Sequence, residues 1–428
     1  MDSSTLRKKF DQFRILIIGR ANAGKTTILQ RVCKTRENPA IYNSAGEKID
    51  PAVLMASRER GVHDIENEMV FRNNPGFIFH DSRGFEAGGQ SEFDKVKAFI
   101  ASRSKESRVK YRIHVIWYCI PMDEDSRSFT NAEVMFFSQC DTGSIPVIVL
   151  FTKFDALYDD IFEELISKGV SRKDAEVLVP QHAKEAFANG PQINLLYSCK
   201  DNQRPPQCHI CLPDMDKDNA DCGPLIERTA EMLDDDVLKQ IFVSTQRTNL
   251  ELCIRYALEQ SLAKHLNFTK IMSSRIFGKS DSNFHWQILL HMGRWFPHTS
   301  RYNPEDEEMW SVLFQSFESS TLEKIIQFGS AAVIVFENAF YLWDQQRYLE
   351  QEPSVHPVRV ALQQYIASPN AAAVREALSL AIRAYEAGFS QWMVGSAKHS
   401  QKKADLIETI IEVVLQHRLP RPNLQATQ

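Results

Sequence analysis

The 428-residue sequence contains no long apolar run that is free of strongly polar side chains. Its most apolar stretch, residues 325–343, is interrupted by Gln327, Glu337 and Asn338, whereas a helix that crosses a membrane needs about 20 predominantly apolar residues. The residues up to Phe13 are polar and charged, so we expect no secretory leader. These absences lead us to expect a cytoplasmic protein.

Basic residues are not in excess either. The 50 Lys and Arg are outnumbered by 55 Asp and Glu, which gives a formal net charge of −5. Proteins that bind nucleic acid through a general electrostatic surface carry the opposite balance, so we expect no nucleic acid partner. The sequence also shows no repeat of fixed period and no low-complexity tract, so it gives no sign of a repeat architecture.

The chain divides into two regions by its hydrophobic pattern. Up to about residue 200, short apolar runs alternate with amphipathic stretches, which is typical of a mainly parallel α/β sheet between helices. Strands are predicted at 14–19, 65–71, 77–80, 113–120, 146–152 and 193–198. Helices are predicted at 24–34, 92–108, 131–139 and 155–188, the last of them broken near Gly169.

A polar segment with prolines, residues 201–223, follows and is expected to be an inserted loop. Beyond it, apolar residues recur at intervals of three and four, as they do on one face of a helix. Examples are Leu250, Cys253, Ile254, Ala257, Leu258 and Leu262. The sequence therefore predicts an α/β domain over residues 1–240 and an all-α region over residues 241–428.

A glycine-rich segment follows the first predicted strand. It reads Gly19-Arg20-Ala21-Asn22-Ala23-Gly24-Lys25-Thr26 and matches the P-loop pattern in full, between a strand and a helix. The backbone amides of such a loop bind phosphates, and its Lys and hydroxyl side chains reach the β- and γ-phosphates and Mg²⁺. The residues expected at the phosphates are Arg20, Asn22, Ala23, Gly24, Lys25, Thr26 and Thr27.

A second motif follows the strand at 146–152. Thr152-Lys153-Phe154-Asp155 matches the [N/T]KxD pattern, in which the carboxylate accepts the N1 and N2 protons of guanine. Adenine lacks both protons and would leave a buried carboxylate unpaired. Ser198-Cys199-Lys200, at the end of the next predicted strand, is similar to the SAK motif that contacts guanine O6. Together these residues predict a preference for guanine.

A third motif, Asp81-Ser82-Arg83-Gly84, follows the strand at 77–80 and matches DxxG. Asp81 would hold Mg²⁺ together with Thr26, and the Gly84 amide would sense the γ-phosphate. Lys25, Thr26 and Gly84 are therefore the candidates for a part in hydrolysis.

In this order the motifs resemble those of the TRAFAC-class GTPases. Asn22 and the Phe85 that follows DSRG make the chain most similar to the Era-like, septin-like and AIG1-like groups, and to a set of fungal G-domain proteins with helical extensions. The resemblance implies a Ras-like G domain of the P-loop NTPase fold that binds GTP or GDP with Mg²⁺. It covers roughly residues 10–240.

Two departures from the family pattern bear on catalysis. Phe85 stands where Ras-type enzymes carry a water-orienting Gln, and there is no Thr at all between residues 36 and 129 to complete the first switch. Arg58 and Arg60 lie in the stretch expected to form that switch, and either could act as an arginine finger in cis. Solvated charges on a loop are the alternative interpretation of those arginines.

Cys208-His209-Ile210-Cys211, with Cys222 further on, contains the ligand types of a structural zinc site. The signature is incomplete, so a loop with free thiols is the favoured interpretation and zinc is the alternative.

Two functions are compatible with these features. The first is a slow Mg²⁺-dependent GTPase that acts as a switch, and the second is a nucleotide-loaded scaffold or dimerisation module with little or no hydrolysis. A membrane-remodelling GTPase is a third, weaker hypothesis, because no polybasic helix supports it. Self-association through the G domain and a protein partner of the helical region both stay open.

Overall fold

The computed structural model describes residues 12–50, 64–82, 90–123, 129–198, 205–265, 284–297, 307–317, 320–348, 357–387 and 396–421. The chain forms two compact units, Met1–Thr248 and Asn249–Gln428. Each unit is described by itself.

The first unit is built on a seven-stranded mixed sheet. Its strands are β1 (Phe13–Gly19), β2 (Ala40–Tyr42), β3 (Glu68–Phe71), β4 (Asn74–Asp81), β5 (Val115–Pro121), β6 (Val147–Thr152) and β7 (Cys208–Leu212). The spatial order is β2-β3-β4-β1-β5-β6-β7. Strands β4, β1, β5, β6 and β7 run parallel, while β3 is antiparallel to both β2 and β4.

The central strands are almost entirely apolar, and both of their faces are covered. Every residue of β1, β5 and β6 is buried, as expected for parallel strands between helical layers. The parallel register aligns their carboxyl ends, with Gly19 beside Cys119 and Thr152 beside Pro121 and Leu212. Side chains that follow these strands therefore meet at one edge of the sheet.

Helices lie between and after the strands of this unit. They are α1 (Lys25–Val32), α2 (Gln90–Ser104), α3 (Asn131–Gln139), α4 (Tyr158–Ser167), α5 (Arg172–Ala188), α6 (Pro191–Ser198), α7 (Gly223–Met232) and α8 (Asp236–Thr245). The predicted helix at 131–139 is confirmed to the residue. The predicted break near Gly169 is also confirmed, because Gly169 has φ +85° between α4 and α5.

Two predictions for the end of this unit are wrong. Residues 193–198, predicted as a strand, lie in helix α6, which Pro191 opens and in which Leu196 alone is fully buried while Leu195 and Tyr197 are exposed. A proline in the first helical turn favours this outcome. The last parallel strand is instead β7, inside the segment expected to be an inserted loop.

A buried polar network lies beside β1. The Arg14 guanidinium donates to Glu68 Oε1 at 2.8 Å and to His80 Nε2 at 3.1 Å. Because Arg14 can only donate, His80 carries its proton on Nδ1 and donates it to the Ile65 carbonyl at 3.0 Å. Through His80 of β4, the network therefore holds Ile65, which precedes β3, in place against β4.

The second unit is helical throughout its described residues. Its helices are α9 (Leu250–His265), α10 (Phe284–Gly293), α11 (Glu307–Gln315), α12 (Thr321–Tyr348), α13 (Pro357–Ala367), α14 (Pro369–Ala387) and α15 (Ser396–Gln416). The prediction of a helical C-terminal region is confirmed for these residues.

Helix α12 lies at the centre of this unit. In the part of the chain that the structure describes, Leu322–Asp344 is the one segment long and apolar enough to cross a membrane by length and composition, with a mean hydropathy of 1.5. Its apolar window is 89% buried among the other helices, as in a core helix. The polar residues that interrupt it have partners: Gln327 with Ser379, Asn338 with Gln364, and Glu337 with Arg418.

We predict that Gly19→Ala destabilises the first unit much more than Gly24→Ala. Both glycines have positive φ, +147° and +74°. A Cβ at position 19 would lie 2.2 Å from the Cys119 carbonyl oxygen of β5, whereas a Cβ at position 24 would meet no heavy atom within 4 Å. Gly24→Ala should cost roughly 1–2 kcal/mol of backbone strain, and Gly19→Ala should add a backbone clash. Urea unfolding of both variants measures this, and equal losses would contradict it.

A second prediction concerns pH. Burial lowers the pKa of His114 to about 4, against an unfolded value of about 6.5. Its neutral form is held in place, because Nδ1 accepts from the Arg14 amide and Nε2 lies 2.8 Å from the Val109 carbonyl. Between about pH 6.5 and pH 4, His114 is therefore protonated in the unfolded chain and neutral in the folded chain. The free energy of unfolding should fall as pH drops through this range.

The His114→Gln variant should show a shallower fall in unfolding free energy between about pH 7 and pH 5, by one proton's contribution. Urea unfolding across that range measures both slopes. Parallel slopes for wild type and variant would show that His114 is not excluded from protonation in the fold.

Candidate nucleotide-binding site

The loop between β1 and α1 has the backbone of an anion cradle. Gly19, Asn22 and Gly24 have φ values of +147°, +58° and +74°, which turn the chain sharply before Lys25 opens the helix. Consecutive amides in such a turn point inward at the helix N-terminus, where the helix dipole also favours an anion.

Lys25 is directed into this loop. Its side chain is buried, with the residue 8% exposed, and its Nζ donates to the Gly19 and Arg20 carbonyls at 3.3 and 2.9 Å. Thr26 is exposed at the first turn of α1, next to Lys25. The ammonium group therefore lies within the loop, and Thr26 is exposed beside it.

The Arg20 side chain does not point into this loop. Its Nε and Nη2 each lie 2.8 Å from a carboxylate oxygen of Glu133, at the start of helix α3. Arg20 is 5% exposed and Glu133 is 0% exposed. The sequence indicated a place for Arg20 at the phosphates, and the structure leaves only its main chain for such a contact.

Asp81 ends β4 beside the phosphate loop. It is in register with Ile17 of β1, two residues before Gly19. The next residue, Ser82, is 3% exposed and its Oγ has no hydrogen-bond partner among the described residues. The rest of the predicted DxxG motif, Arg83 and Gly84, lies outside the described residues, as do Phe85, Arg58 and Arg60.

The TKFD residues lie at the same edge, after β6. Thr152 is 2% exposed, and Lys153 adopts a left-handed backbone with φ +51°. The Lys153 Nζ lies 2.5 Å from Oδ2 of Asp123, which follows β5. The stem of Lys153 is therefore held across the gap between two strand ends, while Phe154 is fully buried beneath.

Asp155 is fixed from the next strand along. Its Oδ1 accepts the Asp214 amide at 2.8 Å, and Asp214 follows β7 with φ +55°. The segment that reaches Asp155 is thus residues 213–217, which we call the β7 loop. Ser198, which was predicted with Cys199 and Lys200 to contact guanine O6, is the last residue of helix α6, and Cys199 and Lys200 lie outside the described residues.

The β7 loop is also tied to the phosphate loop's own helix. Arg31, in the last turn of α1, donates from Nε to the Met215 carbonyl at 2.9 Å and from Nη2 to the Asp216 carbonyl at 2.8 Å. One helix therefore presents Lys25 at its start and holds the β7 loop at its end. Sequence reasoning missed this loop because β7 reads Cys-His-Ile-Cys-Leu, with a single β-branched residue.

The cysteines of β7 do not form a metal site in the described part of the chain. Cys208 and Cys211 are three residues apart in a strand, which places them on opposite faces. Burial raises the pKa of Cys211 to about 12 and that of Cys222 to about 12. No group of three His, Cys, Asp or Glu side chains comes together among those residues.

The residues present fit an anionic ligand with Mg²⁺. The buried hydroxyls of Ser82 and Thr152 have no hydrogen-bond partner among the described residues and lie at the edge where the motifs meet. The carboxylate of Asp81 and the exposed hydroxyl of Thr26 are oxygen ligands of the kind Mg²⁺ takes. A polar, anionic ligand with a hard cation suits such an edge.

No model of a known protein family matches the sequence, and no curated protein matches it. Among solved structures, a septin GTPase domain from Chlamydomonas reinhardtii is 14% identical, with a TM-score of 0.23 over 48% of this chain and 76% of that one. Two structures of an oligomerised bacterial dynamin pair, described as sensing and tethering membranes, are 10% and 11% identical, with TM-scores of 0.25 and 0.27. They cover 95% and 97% of this chain and 68% and 71% of theirs.

The likeness to a P-loop GTPase rests on the order of the strands, the phosphate loop and the residues at the sheet edge.

We predict that Arg31→Met loosens the β7 loop and weakens guanine-nucleotide binding by about tenfold, because two hydrogen bonds to loop carbonyls are lost. The matched control is Arg36→Met. Arg36 also pairs with a residue near this loop, Asp218, but their side chains are 72% and 81% exposed, so this pair contributes little.

Hydrogen exchange at the Lys217 amide, which donates to the Asp214 carbonyl at 3.0 Å, reports loop order directly. Faster exchange in Arg31→Met alone is the expected result. Equal exchange and affinity in the two variants would show that Arg31 does not hold the loop.

Proposed function

We propose that the protein is a Mg²⁺-dependent guanine-nucleotide-binding protein that hydrolyses GTP slowly and acts as a molecular switch in the cytoplasm. One observation carries the proposal. The carboxylate of Asp155 is fixed by the Asp214 amide at the same sheet edge where Lys25 enters the phosphate loop.

At the phosphate end, the loop amides of residues 19–24 and the Lys25 ammonium would bind the β- and γ-phosphates. Lys25 would exchange the Gly19 and Arg20 carbonyls for phosphate oxygens, which are stronger acceptors. Thr26 and Asp81 would hold Mg²⁺, which neutralises charge on the phosphate oxygens when it is bound.

At the base end, Asp155 would accept the two guanine protons. Its Oδ1 already accepts one amide, which orients the carboxylate. Amides of the β7 loop would supply the contact to guanine O6 that Ser198, Cys199 and Lys200 were expected to supply. The Lys153 stem, held by Asp123, would lie along the face of the base.

The chemical step would be slow. Catalysis of phosphoryl transfer is mostly positioning and charge stabilisation, and the sequence offers Phe85 in place of a water-orienting Gln and no Thr for the first switch. The same two features favour the alternative function, a nucleotide-loaded scaffold or dimerisation module. A second G domain docked across the nucleotide would supply the missing groups.

We predict that Asp155→Ala abolishes most of the preference for GTP over ATP, because the carboxylate accepts the N1 and N2 protons that adenine lacks. The control is Asp159→Ala, an exposed acid on the following helix. Calorimetry with GTP, GDP and ATP measures the ratio. Wild-type protein that binds ATP as tightly as GTP would refute the guanine assignment.

We also predict slow turnover that rises with protein concentration. Intrinsic hydrolysis by a G domain proceeds on the order of 10⁻⁴ s⁻¹ without a supplied arginine. Single-turnover assays over a wide range of protein concentration, with Lys25→Ala as the non-binding control, measure this. No hydrolysis at any concentration, with nucleotide bound, would assign the protein to the scaffold class.

A further inference from the structure

We propose that the ion pair between Arg20 and Glu133 positions the phosphate loop. Arg20 and Glu133 are then positioning residues for nucleotide binding, and the guanidinium is not a phosphate ligand. The inference rests on the proposed function, because it names residues that act through the phosphate loop.

The pair is bidentate and closed to water. Both nitrogen–oxygen distances are 2.8 Å, and the side chains are 6% and 0% exposed. A buried ion pair is weak evidence for stability, because desolvation of both charges opposes their attraction. The planar guanidinium of Arg20, bound through two nitrogens, does however hold Arg20 in one orientation.

That residue is the one on which the loop's hydrogen bonds converge. The Arg20 carbonyl accepts Lys25 Nζ at 2.9 Å and the Ala23 amide at 3.4 Å. A shift of the Arg20 main chain would therefore move both the Lys25 ammonium and the turn that carries the loop amides. The side chain of Arg20 thus positions the phosphate loop through the main chain of Arg20, without contact to the ligand.

Glu133 is itself firmly held. Its Oε2 accepts the Thr130 amide at 2.7 Å, and its own amide donates to Thr130 Oγ1 at 3.4 Å, in a capping box that opens α3. One helical turn further along α3, the ring of Phe136 packs against Tyr118 of β5, with 4.8 Å between the ring centroids. The anchor of the loop is therefore a capped helix packed on the central sheet.

Release of Arg20 towards a phosphate would leave the Glu133 carboxylate buried without a cation. An unpaired buried charge is strongly unfavourable, so the pair is expected to persist when nucleotide binds. This separates the proposal from the simpler expectation that an Arg in a phosphate loop binds phosphate.

The test uses the full chain with Glu133→Gln, Arg20→Lys and the double variant. The Gln keeps an acceptor for the Thr130 amide, and the Lys keeps a positive charge but loses the planar guanidinium. Each variant should lower affinity for GDP and GTP by about 10- to 100-fold through misplacement of the cradle, and the double variant should be no weaker than either single one. The ratio of GTP to ATP affinity should not change.

The matched control is Glu164→Gln, which breaks an exposed Glu–Lys pair on α4 whose side chains are 53% and 63% exposed. It should leave affinity unchanged. Urea unfolding of each protein without nucleotide separates positioning from stability, because a structural role would lower the unfolding midpoint and leave the affinity of the folded fraction intact.

Three results would overturn the inference. The first is wild-type affinity in folded Glu133→Gln and Arg20→Lys. The second is tighter binding in Glu133→Gln, which would mean that a freed Arg20 binds phosphate. The third is a lowered unfolding midpoint with unchanged affinity. If Glu133→Gln does not fold, the nucleotide affinity of Arg20→Lys tests the inference. Failure of wild-type protein to bind any guanine nucleotide would instead refute the proposed function itself.

Discussion

The site depends on the close approach of two backbones at Gly19. The last residue of β1 lies so near the Cys119 carbonyl of β5 that a Cβ there would be 2.2 Å from its oxygen. At this contact the chain leaves the sheet between the parallel strands β4 and β5 and enters the phosphate loop that leads to α1. Asp81, Thr152 and Leu212 end their strands at the same edge of the sheet. The residues that follow those strands therefore lie near the point where the chain leaves β1.

Strand β1 is framed by buried charges although it is otherwise apolar. Arg14 near its start pairs with Glu68 of β3, and Arg20 just after its end pairs with Glu133 of α3. Each carboxylate comes from an element far away in sequence, so each pair ties β1 to a different neighbour. Burial and the Arg14 charge lower the pKa of His80 to about 3, so the ring beside this pair stays neutral.

The parts of the site that the sequence predicted are those whose chemistry is local. A loop from Gly19 to Thr26 between an apolar strand and a helix, and a TKFD after a continuous apolar run, each carry their signal within a few residues. The start of α3 at Asn131 was also predicted, and the capping box of Thr130 and Glu133 explains it. The partners of Arg20, Arg31 and Asp155 could not be predicted in this way, because they depend on which elements the fold brings together.

The end of the sheet was mispredicted for a related reason. Residues 193–198 are apolar enough for a strand, and only the proline at position 191 indicates a helix. Strand β7 carries two cysteines and a histidine, which suggested metal chemistry and concealed a half-buried edge strand. The consequence was local: the candidate contact to guanine moved from residues 198–200 to the β7 loop.

The double use of α1 restricts how this protein can vary in length. Lys25 and Arg31 are six residues apart on one helix, and each residue turns the helix by about 100° and advances it by about 1.5 Å. One added or deleted residue between them would swing Arg31 away from the carbonyls of Met215 and Asp216 while Lys25 stayed in place. Insertions should therefore be tolerated in the exposed turn at residues 43–48 but not within α1, where the spacing of Lys25 and Arg31 sets the distance between the phosphate loop and the β7 loop.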